Sequence, residues 1–305
     1  MSKTILLLPL SVLIGLPFAC GNGTNSEALP IPFNAAANKE FNEYWFDGKA
    51  ELSSYKLVQA RYGELREGSA VMVFVTEPFS ISKLVKLDNP DAVPSDRIDL
   101  LKLNFTRNFE TGIYPYSLLT SVFSPITGDK SLKINNSCQE WCGHTFAQLK
   151  RNGDYYDWLL HSYFESEFEE SFDIRNSISE DEFWNTIRIN PSLLIEGEQD
   201  IIPAMHFLRF KHIKAKAYTA NCTKRIEANE IVYTVDYKEI ERKLEIRFSA
   251  NFPYQIQSWT ETYPDGWGEN ATVLTTTGTL LKSIRSDYWS KNSNADSLRR
   301  RELGL

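Results

Sequence analysis

The chain has 305 residues, a formal net charge of −7 and a pI near 5.3, enough for one large domain or two modest ones with a substantial core. Its acidic balance argues against nucleic acid as a partner, since that requires a basic face to displace counterions from phosphates. Hydrophobic residues reach 42% and aromatics 13%, which is not the composition of a disordered chain and suits the pleated, half-buried surfaces of sheet.

Met1-Ser2-Lys3 forms a short basic tip, Thr4 to Ala19 is almost wholly apolar or small, and Cys20-Gly21-Asn22-Gly23 follows. This order describes a secretory signal over residues 1–19; the apolar run is shorter than the roughly 20 residues a membrane span needs. Cys20 at this boundary resembles the lipobox of bacterial lipoproteins. Ala19 suits the position before the cysteine, while Phe18 is bulky and the usual leucine is displaced to Leu16. The resemblance implies lipidation of Cys20 with chains such as palmitate, which hold a protein on a membrane surface without crossing it. Ordinary signal cleavage close by, leaving a soluble periplasmic protein, is the alternative. Gly21 to Asn38 is rich in Gly, Asn, Ala, Ser and Pro and reads as a tether.

The body, residues 39–290, starts at Phe41-Asn42-Glu43-Tyr44-Trp45. Lys49 to Tyr62 and Ala70 to Val75 are β-prone runs separated by Gly63 and Gly68, which predicts an antiparallel hairpin. Further strands are expected at Leu100–Phe105, Tyr116–Phe123, Ser131–Ile134, Glu140–Leu149 and Tyr155–Phe164, then at Lys214–Tyr218, Ile231–Tyr237, Leu244–Phe248, Tyr254–Tyr263 and Val273–Ile284. Between them, Ser179-Glu180-Asp181-Glu182 is a capping box. Phe183, Trp184 and Ile187 follow at helical spacing and Pro191 stops the run. A second helix is expected over Ile202–Phe210. The predicted fold is mainly β: curved antiparallel sheets, as a sandwich or an open barrel, with one or two short helices in an insert at 167–212.

Leu101-Lys-Leu-Asn-Phe105-Thr-Arg-Asn-Phe109 parallels Leu244-Glu-Ile-Arg-Phe248-Ser-Ala-Asn-Phe252. Pro115-Tyr116 answers Pro253-Tyr254, and Gln139-Glu-Trp141 answers Gln257-Ser-Trp259. Two similar halves, 39–166 and 213–290, would produce this pattern, as would the chance likeness of strand–turn–strand sequences. The segment 291–305, with its Leu298-Arg-Arg-Arg-Glu run, reads as a frayed basic tail, with contact to anionic lipid as the alternative.

Reactive residue types are densest at Cys138-Gln-Glu140-Trp141-Cys142-Gly143-His144. On one strand, Cys138, Glu140, Cys142 and His144 would share a face. A thiol–disulfide site is one reading, although Thr145 stands where the second cysteine belongs. A metal site from Cys142 and His144 with Cys138, Cys222 or His161 is another, although structural zinc prefers paired close spacings. Cys142 as a nucleophile with His144 or His161 as its base is a third. Against these stand one disulfide plus a spare thiol, or buried thiols acting as small apolar residues. The acidic run Glu165-Ser-Glu167-Phe-Glu169-Glu170 lacks the Gly-centred spacing of a calcium loop and reads as a solvated loop. Trp259, Tyr263 and Trp267 are candidates for a sugar or lipid groove, or for core. Neither cofactor nor metal is expected.

Tyr44-Trp45, Ala60-Arg-Tyr-Gly63, Leu87-Asp88, Lys102-Leu-Asn-Phe105, Gly112-Ile-Tyr-Pro-Tyr116, Gln139-Glu-Trp-Cys-Gly-His-Thr-Phe146, Ser162-Tyr-Phe-Glu165 and Ser286-Asp-Tyr-Trp289 span nearly the whole mature chain. With these residues it resembles a family of bacterial lipoproteins of unassigned function, some of which carry the label "septum formation inhibitor Maf". Genuine Maf proteins resemble nucleotide pyrophosphatases with an N-terminal Ser-Pro-Arg-Arg type motif on an α/β fold, and no such motif occurs here. The resemblance implies lipoprotein character and no catalytic residue. The expected protein is therefore lipid-anchored in the cell envelope, at the outer membrane before the inner. It would be a non-enzymatic binder of a lipid, glycan or envelope protein, and an enzyme centred on Cys142 and His144 is the rival.

Overall fold

The computed structural model describes residues 38–175 and 177–305; the signal segment 1–19, Cys20 and the tether as far as residue 37 lie outside the described residues. Asn38 caps the first helix, α1 (Lys39–Trp45), by accepting the Phe41 N–H on its side chain. The chain then enters a long antiparallel meander. Alternation sets each strand: in β4 (Arg97–Thr111), Leu101, Leu103 and Phe105 are buried while Lys102, Asn104 and Thr106 are only partly covered.

Sixteen strands form a single sheet. β1 (Ala50–Arg61) lies in its middle, paired with β2 (Glu64–Ser80) on one side and with the last strand, β16 (Thr272–Ser286), on the other. From β2 the order runs through β4, β5 (Tyr114–Pro125), β6 (Lys133–Glu140), β7 (Gly143–Asn152), β8 (Tyr155–His161) and β9 (Glu169–Arg175), with the short β3 (Val85–Lys86) also on β2. From β16 it runs through β15 (Ile256–Asp265), β14 (Arg242–Ser249), β13 (Glu230–Tyr237), β12 (Tyr218–Glu227), β11 (Gly197–Ile202) and β10 (Ile178–Ser179). Every pairing is antiparallel except β10 with β11. The sheet is curved but not closed, an open barrel and not a sandwich.

Its curvature follows from what the insert touches. α2 (Phe183–Ile189) places Trp184 against Phe105 of β4 and Trp259 of β15, and Phe183 against Tyr233 of β13. One two-turn helix reaches both halves of the sheet only if the sheet wraps around it. Gly278 of β16 permits this packing, because a Cβ there would lie 2.1 Å from the Trp259 ring. Asn185 fastens the helix to the sheet, donating to the carbonyl oxygens of Leu101 (3.0 Å) and Val122 (3.3 Å). Glu182 reaches back to the Ser179 N–H at 2.8 Å, as the capping box requires. α3 (Met205–Lys211) fills the rest of the interior.

Several expected boundaries change. The insert at 167–212 carries β9, β10 and β11 as well as helices. The strand expected at Lys214–Tyr218 begins only at Tyr218 and runs on to Glu227. The acidic run is not a solvated loop throughout, because Glu169 and Glu170 open β9. The 291–305 tail is not frayed: Asn294–Leu303 forms a 3₁₀ helix whose Leu303 packs with Ala50, Leu52 and Val75. The internal likeness covers β4 and β14, but Gln139 lies in β6, two strands after β4, whereas Gln257 lies in the strand directly after β14.

β9 ends at Arg175 and β10 begins at Ile178, although the two stand at opposite ends of the strand order. The seam of the open barrel is thus pinned at the end of β9, and the start of β9 borders the cavity described next.

Candidate functional site

The Cys138–His144 constellation does not form. The segment is not one strand: β6 ends at Glu140, Trp141-Cys142 makes the turn, and β7 begins at Gly143. Cys138 and Glu140 pair with Thr145 and Gly143, and His144 pairs with Gln139. Paired residues share a face, so His144 lies on the opposite, exposed side from Cys138 and Glu140. Cys142 is exposed; the hydrogen bond and charge of Glu140 raise its thiol pKa, the reverse of what a nucleophile needs. Burial pushes Cys138 up to about 11. Cys138, Cys142 and Cys222 are all free thiols, which leaves the second of the two structural readings for Cys138 and Cys222, both buried. His161 pairs with Glu169 at 3.3 Å on the exposed face, and the described residues contain no cluster of metal-ligating side chains. Trp259 and Tyr263 are core, 1% exposed each; Trp267 alone of that trio stays 52% exposed.

The interior holds a different collection of polar groups, gathered by α3. His206 Nε2 donates to Glu261 Oε2 at 2.9 Å, and Arg107 and Arg242 flank the same carboxylate at 2.7 and 3.3 Å. Arg242 also pairs with Glu180. All of these side chains are nearly inaccessible to water. Burial drives His206 down to about 4, with the Arg107 charge adding to the effect, so the imidazole is neutral. Burial alone would raise Glu261, but Arg107, His206 and Arg242 outweigh it and hold the carboxylate well below its usual range. A second buried pair, Arg188 of α2 with Glu51 of β1 at 2.5 Å, ties the other helix to the central strand.

Where α3 faces β6–β9 a cavity of about 300 Å³ remains. Ala147, Trp158 and Leu160 form the sheet wall, and Met205, Leu208 and Ile213 form the helix wall. Asn136 and Thr145 lie on the sheet side, Glu167, Glu170, Arg209 and Lys214 supply the charged lining, and His212 sits among them. Trp158 Nε1 donates to Glu170 Oε2 at 3.1 Å. Glu167 accepts from the Ser162 hydroxyl at 2.7 Å and from His212 Nδ1. Arg209 Nη1 lies 3.1 Å from His212 Nε2. A guanidinium can only donate, so Nε2 is the acceptor of that contact and Nδ1 is the ring nitrogen directed at Glu167. Arg209 sits over the Phe164 ring at 4.4 Å and is 8% exposed, and its Nε has no hydrogen-bond partner among the described residues.

Aromatic rings pack on the lining residue His212. His212 lies 5.7 Å from Phe164 and 5.5 Å from Trp267, while Tyr163 and Phe168 are each 66% exposed. Gly143 leaves room for Tyr163, whose ring would come within 2.4 Å of a Cβ at that position. The lining residues come from β6, β7, β8, the β8–β9 connection, β9, α3 and the segment after α3, and in sequence each looks ordinary. The Glu165–Glu170 run was the one local signal. No protein-family model matches the chain, and no curated protein matches it either.

Proposed function

We propose that this chain is an exported, lipid-anchored protein of the bacterial cell envelope that binds a small amphipathic ligand and catalyses no reaction on it. The observation that supports the reading is the cavity between α3 and β6–β9: apolar on both walls, charged at its lip, and near the lower bound of ligand-pocket volumes. A membrane anchor at Cys20 keeps such a pocket close to the hydrophobic molecules of an envelope. The free thiols and the turn at Cys142 offer no assembled nucleophile.

Two measurements test the two parts. N-phenyl-1-naphthylamine fluorescence should rise on adding the wild-type protein and should stay low with Ala147→Phe, which fills the sheet wall, provided that variant keeps its unfolding midpoint. Equal enhancement by both proteins removes the pocket from the reading. The intact mass of the protein taken from its native membrane should correspond to a chain starting at acylated Cys20. A different start without lipid overturns the address.

A further inference from the structure

We propose that the ligand of this pocket is an amphipathic anion, a carboxylate carried on an apolar body, with Arg209 as its anchor. The inference deepens the binding reading and rests on it. It is carried by an imbalance in how the charged lining is used. Glu167 has both oxygens engaged, by His212 and Ser162, and Glu170 takes the Trp158 N–H. The two acids are acceptors already supplied with donors. The cations are not equally supplied: Arg209 and Lys214 both line the cavity, and neither makes an ion pair with a carboxylate among the described residues. Two cations on a cavity wall without a carboxylate partner are what an anionic ligand can engage by charge-assisted hydrogen bonds.

The guanidinium plane is also fixed before anything binds. Phe164 lies 4.4 Å beneath it and His212 takes one Nη1 hydrogen, so little side-chain freedom is lost on binding. The size of the apolar body follows from the volume. The cavity of about 300 Å³ lies at the small end of ligand-pocket volumes, enough for one short chain or a small aromatic body. A short-chain carboxylate or a small aromatic acid fits that description, and a whole two-chain lipid does not. The tail would lie between Trp158 and Leu160 on one side and Met205 and Leu208 on the other. The carboxylate would stay at the lip, where Lys214 can approach it.

The test is titration calorimetry of the full mature chain at pH 7 with sodium octanoate and with octan-1-ol, which share a tail and differ in charge. Octanoate should bind at least about tenfold more tightly, the scale of one charge-assisted hydrogen bond. Arg209→Gln should erase that preference while leaving octanol binding within about twofold, and the exposed Lys214→Gln should reduce it by about threefold. Because Arg209 is buried, its variant counts only if its unfolding midpoint is retained; the wild-type preference and Lys214→Gln decide the matter without it. Octanol binding as tightly as octanoate overturns the proposal. Failure of both compounds, with N-phenyl-1-naphthylamine still binding wild type but not Ala147→Phe, also overturns it yet leaves the binding reading intact. Failure of all three removes both.

Discussion

His206 and Arg209 stand one helical turn apart on α3, and the polar groups around them are finished in different ways. Around His206, Glu261 is enclosed by Arg107 and Arg242 as well as the imidazole, and water reaches none of them. Around Arg209 the network runs through His212 to Glu167 beside a cavity, and neither Arg209 nor Lys214 has a carboxylate paired with it among the described residues. The first cluster has every charge matched inside the protein and makes a structural joint between helix and sheet. The second leaves two cations beside a cavity without a carboxylate of their own, which is what distinguishes a site from a strut.

That contrast can be broken most sharply at Glu261. Glu261→Leu leaves Arg107 and Arg242 buried without their shared carboxylate and should lower unfolding free energy by about 3–5 kcal/mol, read by urea denaturation. A loss below about 1 kcal/mol would mean the cluster is no joint at all. His206 gives the next largest effect and a sign to check. Its folded-state pKa of about 4 lies below the ordinary 6.5, so the unfolded chain takes up the proton first as pH falls. The stability from neutral His206 is complete above pH 6.5 and is lost between 6.5 and 4, by about 3 kcal/mol. Asp181 opposes this, because burial raises it to about 7 and its contribution falls as pH rises from 3.8 to 7. The difference between wild type and His206→Gln isolates the histidine; it should shrink by about 3 kcal/mol on going from pH 6.5 to 4.

At the lip, Glu167→Gln should cost only about 1 kcal/mol, since water can replace a partner there. A cost as large as that at Glu261 would erase the distinction between the two clusters. Cys142→Ser, on its exposed turn, should stay within about 0.5 kcal/mol of wild type and leave N-phenyl-1-naphthylamine binding unchanged. A clear loss of binding would return Cys142 to the list of functional residues.

Legibility in the sequence followed physical contrast. Strands with one buried face, such as β4 and β14, show regular alternation, and the helix after Ser179 announces itself with its capping box and with Pro191. The edge strand β9 is mostly charged because its side chains face water, so it reads as a loop. β12 hides in the same way behind Thr219, Asn221 and Thr223 on its exposed side. The turn at Trp141-Cys142 has neither Asn-Gly nor Asp-Gly; the following Gly143 was the clue, and its position after a cysteine drew the reading towards thiol chemistry. The pocket was illegible for a further reason. Trp158, Leu160, Glu167 and Arg209 meet only through strand order and helix packing, and no pair of elements brings them together within a short stretch of chain.

The position of β1 in the sheet also constrains how the molecule is made. Its ladder with β16 joins residues more than two hundred positions apart, such as Ala50 with Ser286 and Leu57 with Gly278. Pairings of that separation form slowly because loop closure precedes their reward. A chain emerging N-terminus first holds one side of its central strand unpaired until the last strand arrives. Folding therefore finishes only after nearly the whole polypeptide has been delivered, and a chain ending before Thr272 would present two raw edges, on β1 and on β15, to its neighbours.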